Sequence, residues 1–220
     1  AMIRTLIVLF GFLMLAACSA APEYDLVIRN GVIHDGSGSK PYRGDLAIDD
    51  DTIAAIGPEV NGRGQLEIDA KGMAVAPGFI NMLSWATESL IEDGRSQGNI
   101  RQGVTLEIFG EGISMGPLDE VMKQDMLSRQ GDITYDIAWT TLSEYLDHLI
   151  QRGISPNVAS FVGATTIRIH VLGYQDRPPT PEELEQMRSL VRAAMEAGAL
   201  GVGSSLIYAP AFYADTAELT

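Results

Sequence analysis

Apolar and polar positions alternate in short runs from Tyr24 to Ala76, and the rhythm then lengthens. A period of two puts alternate side chains on one face, so strands are expected at Asp25–Arg29, Val32–His34, Leu46–Asp49, Thr52–Ile56, Leu66–Asp69 and Met73–Ala76. Asn30-Gly31 separates the first two. Both residue types tolerate positive φ, which predicts a two-residue hairpin. Asp35–Ser39 reads as a loop, and Asp50-Asp51 and Lys71-Gly72 as turns. Short strands with no helix-period segment among them describe a small β-sandwich or barrel over residues 24–76.

After Pro77-Gly78 strands alternate with helices. Phe79–Leu83, Val104–Phe109, Val158–Val162 and Ala199–Ser204 read as buried parallel strands. Glu88–Gln102 is polar and helix-compatible despite Gly94 and Gly98, and Leu118–Gln130 reads as helix. Thr141 with Glu144 has capping-box spacing, opening a helix that ends before Gly153 with Leu142, Tyr145, Leu146 and Leu149 on one face. Thr180 caps the strongest helix, which runs from Pro181 to Ala197 and stops at Gly198. This alternation over residues 77–220 points to parallel βα units. A closed eight-unit barrel takes about 250 residues and roughly 145 follow Pro77, so only the first half of such a barrel is expected here.

The chain has 220 residues, 46% of them hydrophobic, enough for a core. Its 29 acidic and 15 basic residues give a net charge of −14. No basic footprint exists for nucleic acid, and none is expected as a partner. Arg4 precedes an apolar run from Leu6 to Ala17, too short for a membrane span but laid out like a secretory signal. The run ends Leu15-Ala16-Ala17-Cys18, which resembles the lipobox of bacterial lipoproteins. That resemblance implies that residues 1–18 are a lipoprotein signal peptide and that Cys18, the sole cysteine, is lipidated. The protein is then expected on the periplasmic side, held to the membrane by its lipid alone, with Ser19 favouring the outer membrane over the inner.

YDLVIRNGVIHDGSG (24–38) followed by IDAKGMAVAPGFIN (68–81) resembles the amidohydrolase superfamily. The D-aminoacylase branch, the N-acyl-D-amino-acid deacylases, is matched by IRQGVTLEIFGEGISMGPL (100–118) and by the stretch from Val162 to Pro210. The resemblance implies a small β-sandwich joined to a metal-bearing α/β (TIM) barrel, and a reaction that hydrolyses an amide. The sequence departs from that pattern at the metal. The family's first barrel strand ends in His-x-His, two imidazoles facing one way. Here Leu83 and Trp85 stand in those places and are expected to be packed core. Gly163-Ala164-Thr165 replaces a Gly-His, and no catalytic role is given to His34, His148 or His170.

Glu111, in Gly110-Glu111-Gly112-Ile113-Ser114, takes the place of the family's Cys ligand. Carboxylate is a competent metal ligand. The competing reading is a loop carboxylate capping the amides of Ile113 or Ser114. Tyr208, in the loop after the fourth strand, is a candidate to bind substrate, with packing beneath that loop as the alternative. One divalent metal is expected, zinc foremost, although a carboxylate with imidazoles also suits manganese or iron. Other ligands and the proton-transferring Asp would come from later strands, so no catalytic residue is expected within residues 1–220, and the isolated chain is expected to be inactive. The expected activity is deacylation of small N-acyl-D-amino acids or related carbon–nitrogen bonds. The alternative is a catalytically degenerate, lipid-anchored binding or scaffold protein of the same fold. Nothing in the sequence indicates an oligomeric state.

Overall fold

The computed structural model describes residues 23–220. Cys18 and the signal-like segment 1–18 lie outside the described residues. The chain divides at Pro77/Gly78 into two compact units.

The first unit is one mixed sheet of five strands: β1 (Glu23–Ile33), β2 (Tyr42–Asp49), β3 (Thr52–Gly57), β4 (Arg63–Asp69) and β5 (Ala74–Val75). Its order is β3-β2-β1-β4, with β5 beside the far end of β1. The expected hairpin at Asn30-Gly31 is absent. Asn30 does take positive φ, at 58°, but it makes a bulge inside a single long strand. The Asn30 amide donates to Asp45 Oδ1 and its side chain to Asp69 Oδ1, both at 3.0 Å. Those bonds tie the bulge to strands on both sides and keep the chain running straight on.

A small β-sandwich or barrel was expected here, and the described residues form one open sheet. β1 pairs antiparallel with β2 along one edge and parallel with β4 and β5 along the other, drawing all five strands into one ladder. Val27, Ala47 and Val60 form its small buried cluster. The opposite face carries Leu66–Leu26–Ile48–Ile53 and Ile68–Ile28–Leu46–Ile56 as neighbouring cross-strand rows.

The second unit contains β6 (Phe79–Asn81), β7 (Val104–Phe109), β8 (Asn157–Ser160), β9 (Val162–Gly163) and β10 (Val202–Gly203). β6, β7 and β8 pair in parallel, as do β9 and β10. The Phe161 amide donates to the Phe109 carbonyl, and the Leu200 amide to Ser160, at 2.9 Å each. These bonds carry the ladder from β7 through β8–β9 to β10, so four parallel segments lie side by side in chain order. Parallel neighbours need crossover connections, and helices fill them: α1 (Ser89–Glu92), α2 (Gln97–Ile100), α3 (Glu120–Ser128), α4 (Leu142–Arg152), α5 (Ala164–Leu172) and α6 (Pro181–Glu196). A last short helix, α7 (Thr216–Leu219), follows β10.

The predicted capping box of Thr141 with Glu144 forms, and Thr180, predicted as a cap, makes a second one with Glu183. The single helix expected over 88–102 is instead two short ones. Ser96 between them adopts φ 44°, and Asp93 accepts from the amide and guanidinium of Arg95. Local side-chain bonds there compete with a continuous helix. Helix α5 carried no sequence signal strong enough to be predicted. Its Arg168 is fully buried, pairs with Glu218 and donates to the carbonyls of Gln175 and Arg177 at 3.1 and 2.7 Å. The core beneath the helices is built on Phe109, Trp139, Tyr145, Leu149, Val162 and Ile167. No helix among the described residues is long and apolar enough to cross a membrane.

Candidate functional site

In parallel βα sheets chemistry gathers where strands end and loops begin. At that end of β7 the chain reads Gly110-Glu111-Gly112-Ile113-Ser114. This loop is clamped from behind. The Ser114 amide donates to Thr166 Oγ1 at 2.8 Å, and the Gly163 amide to Ser114 Oγ at 2.9 Å. The Thr165 amide donates to the Gly112 carbonyl at 2.9 Å. A Cβ at Gly163 would collide with that same carbonyl, and one at Gly203 with the Gly110 carbonyl. Both positions therefore need glycine if the three strand ends are to close on one another.

Gly110 and Gly112 are buried, whereas the Glu111 side chain between them is exposed. No hydrogen bond to its carboxylate occurs among the described residues. The capping alternative fails at Ser114, whose amide is taken by Thr166. Glu111 instead lines a small cleft with Ser84, Trp85, Thr87, Ile113 and Met115.

Leu83 and Trp85, expected as packed core, are 51% and 64% exposed. β6 ends at Asn81, so these side chains stand in the loop past the sheet. Ser84 between them is the residue that turns inward. Tyr208 is 63% exposed, which removes the reading of it as packed beneath its loop. Ser205, three residues before it, lies against Gly112, so the loops after β7 and β10 touch. His34 is exposed after β1. His148 is half-buried on α4 with its ring 5.1 Å from that of Trp139. His170 is half-buried on α5, with Nδ1 unpartnered among the described residues.

One polar cluster escaped the sequence reading. Glu107 on β7 is fully buried. It accepts from Ser84 Oγ at 2.5 Å, Ser96 Oγ at 3.0 Å and Asn99 Nδ2 at 2.9 Å. The available signal was a lone carboxylate inside an otherwise apolar strand. Nearby, burial pushes the Tyr145 phenol up, leaving it a neutral donor to the Thr87 carbonyl at 2.9 Å.

No family model matches the chain. It is 33% identical over 205 residues to a D-aminoacylase of Alcaligenes xylosoxydans xylosoxydans, covering 91% of this chain and 42% of that enzyme. It is 32% identical over 201 residues to an N-acyl-D-aspartate deacylase of the same organism, covering 91% and 40%. Its homologues are D-aminoacylases. They belong to the amidohydrolase superfamily. The D-aminoacylase likeness extends to structure. An N-acyl-D-glutamate deacylase from Bordetella bronchiseptica, solved with zinc and a phosphonate mimic of the tetrahedral intermediate, matches with a TM-score of 0.75 and 29% identity. That match covers 90% of this chain and 42% of the other. The chain thus spans less than half the length of the D-aminoacylases it matches.

Glu111 is an exposed oxygen donor at a strand end. Among the described residues no three His, Cys, Asp or Glu side chains converge in a group that could hold a metal ion.

Proposed function

We propose that the chain is the first part of a metal-dependent hydrolase that cleaves the amide of N-acyl-D-amino acids or related carbon–nitrogen bonds. Its four parallel segments are read as the first half of a (β/α)8 barrel and Glu111 as one ligand of a divalent metal. The observation that carries the reading is Glu111 itself, exposed at the end of β7 on a loop clamped by Ser114, Gly163 and Thr166, in a chain whose homologues are deacylases.

A bound divalent ion supplies Lewis acidity toward the acyl carbonyl and acidifies its water. Glu111 holds the ion with a hard oxygen donor. Trp85 and Ile113 give the cleft apolar walls. Tyr208 offers a phenolic hydroxyl to polar substrate groups from the loop after β10. The remaining ligands and the proton carrier belong, in this reading, to strands outside residues 23–220. Anchoring through a lipidated Cys18 on the periplasmic side is part of the same proposal and rests on the sequence alone.

The test is release of free amino acid from N-acetyl-D- and N-acetyl-L-amino acids by the whole protein supplied with zinc. Turnover of the D series is the expected result. A binding or scaffold protein is the second reading, favoured by the exposed Leu83 and Trp85 where family members carry two histidines. Absence of turnover on either series would select it.

A further inference from the structure

Glu107 has no exposed surface, and its three side-chain donors, Ser84, Ser96 and Asn99, are all neutral. Burying a carboxylate among neutral donors costs stability that an apolar side chain would not, and the cost is met only while every bond is made. Phe109, two residues along the same strand, binds sheet to helices without any polar group. The arrangement around Glu107 therefore asks for a role that depends on geometry.

Its donors come from three places: the loop after β6, the turn before α2, and α2 itself. Ser84 is the most tightly held of them. Its amide donates to the Ile108 carbonyl at 2.8 Å, and its hydroxyl both donates to Glu107 and accepts from the Ala86 amide at 3.2 Å. Three residues further on, Tyr145 grips the Thr87 carbonyl. Trp85 stands between these anchors, projects outward and lines the Glu111 cleft.

We propose that Glu107 is a positioning residue: acting through Ser84, it holds the loop that presents Trp85 to the Glu111 cleft, where an apolar acyl group of the substrate packs against the indole. The holding of the loop on either side of Trp85 stands on the hydrogen bonds alone. The acyl contact rests on the hydrolase reading.

Trp85 and Trp139 are the two tryptophans of this chain, and in the 5-fluorotryptophan-labelled whole protein each resonance is assigned by its loss in Trp85→Phe or Trp139→Phe. In Ser84→Ala and Glu107→Gln of the whole protein, the Trp85 resonance is expected to narrow and move toward that of free fluorotryptophan, while the Trp139 resonance stays. Ser84→Ala removes one hydroxyl and keeps the test open if the Glu107 variant fails to fold. An unchanged Trp85 resonance in folded Ser84→Ala overturns the proposal. In turnover, Ser84→Ala is expected to raise KM for substrates with apolar acyl groups on the order of tenfold, with kcat within about twofold. A shifted resonance with unchanged KM overturns the acyl contact. A wild type without turnover counts against the hydrolase reading, and the resonance alone then decides whether Glu107 holds Trp85.

Discussion

Glu183 shows how much one side chain can tie together. Its carboxylate accepts two bonds from Arg177, at 2.7 and 2.6 Å, and one from the Thr180 amide at 2.7 Å. The Arg177 guanidinium, then the Thr180 amide, hold its carboxyl at about 2, below the ordinary value of 4.5. A depressed carboxylate stabilises the fold above its unfolded pKa and loses that contribution as pH falls through the folded one. The melting temperature of the protein should therefore exceed that of Glu183→Gln above pH 4.5, and the gap should close as pH falls toward 2. A gap independent of pH over that window would contradict the assignment. This pair was not legible in the sequence. The sequence marked Thr180 as the cap of this helix but did not single out Glu183, and Arg177, which precedes the helix in a Pro-rich turn, carried no pattern that announced a partner. Glu107 was missed for a related reason: sequence shows a carboxylate in an apolar strand but not the serines and asparagine that fold back to meet it. Leu83 and Trp85 were read as core because apolar type usually means burial, and the early end of β6 leaves them in a loop.

At the level of elements, the parts specified by local chemistry were readable. Helices α4 and α6 begin at the threonines that predicted them, Thr141 by its spacing to Glu144 and Thr180 as a cap followed by Pro181, since these signals lie within one turn. Strand β7 occupies Val104–Phe109 as its apolar run suggested. What depends on a distant partner was not readable. Asn30-Gly31 carries hairpin chemistry, but bonds to Asp45 and Asp69, neither of them near in sequence, turn it into a bulge. The loop after β7 shows the same dependence on remote partners, because its path is set by Gly163 about fifty residues on. Gly163→Ala should push the Gly112 carbonyl aside, disturb the loop that presents Glu111, and destabilise the protein by about 1–3 kcal/mol, a typical cost of overpacking. Thermal unfolding measures the stability, and metal affinity should weaken in the variant. A variant as stable as wild type with unaltered metal affinity would show that the close approach of the strand ends is unimportant.

For the molecule as a whole, the order of strands and helices was legible further than the site was. Alternating strand and helix signals after Pro77 give parallel segments adjacent in chain order, because short crossovers keep successive strands together. The resemblance in segments 24–38, 68–81 and 100–118 pointed to the family to which the homologues belong. The site was legible only as a position. Glu111 stands where a ligand is expected, on a loop built to hold it, while the places of two histidine ligands carry Leu83 and Trp85. The account therefore rests on whether Glu111 binds metal. The most direct measurement is the metal content, by elemental mass spectrometry, of the purified whole protein and its Glu111→Ala variant. About one equivalent in the wild type, lost in the variant, is the predicted result. No metal in the wild type, or an equivalent retained in the variant, would contradict it.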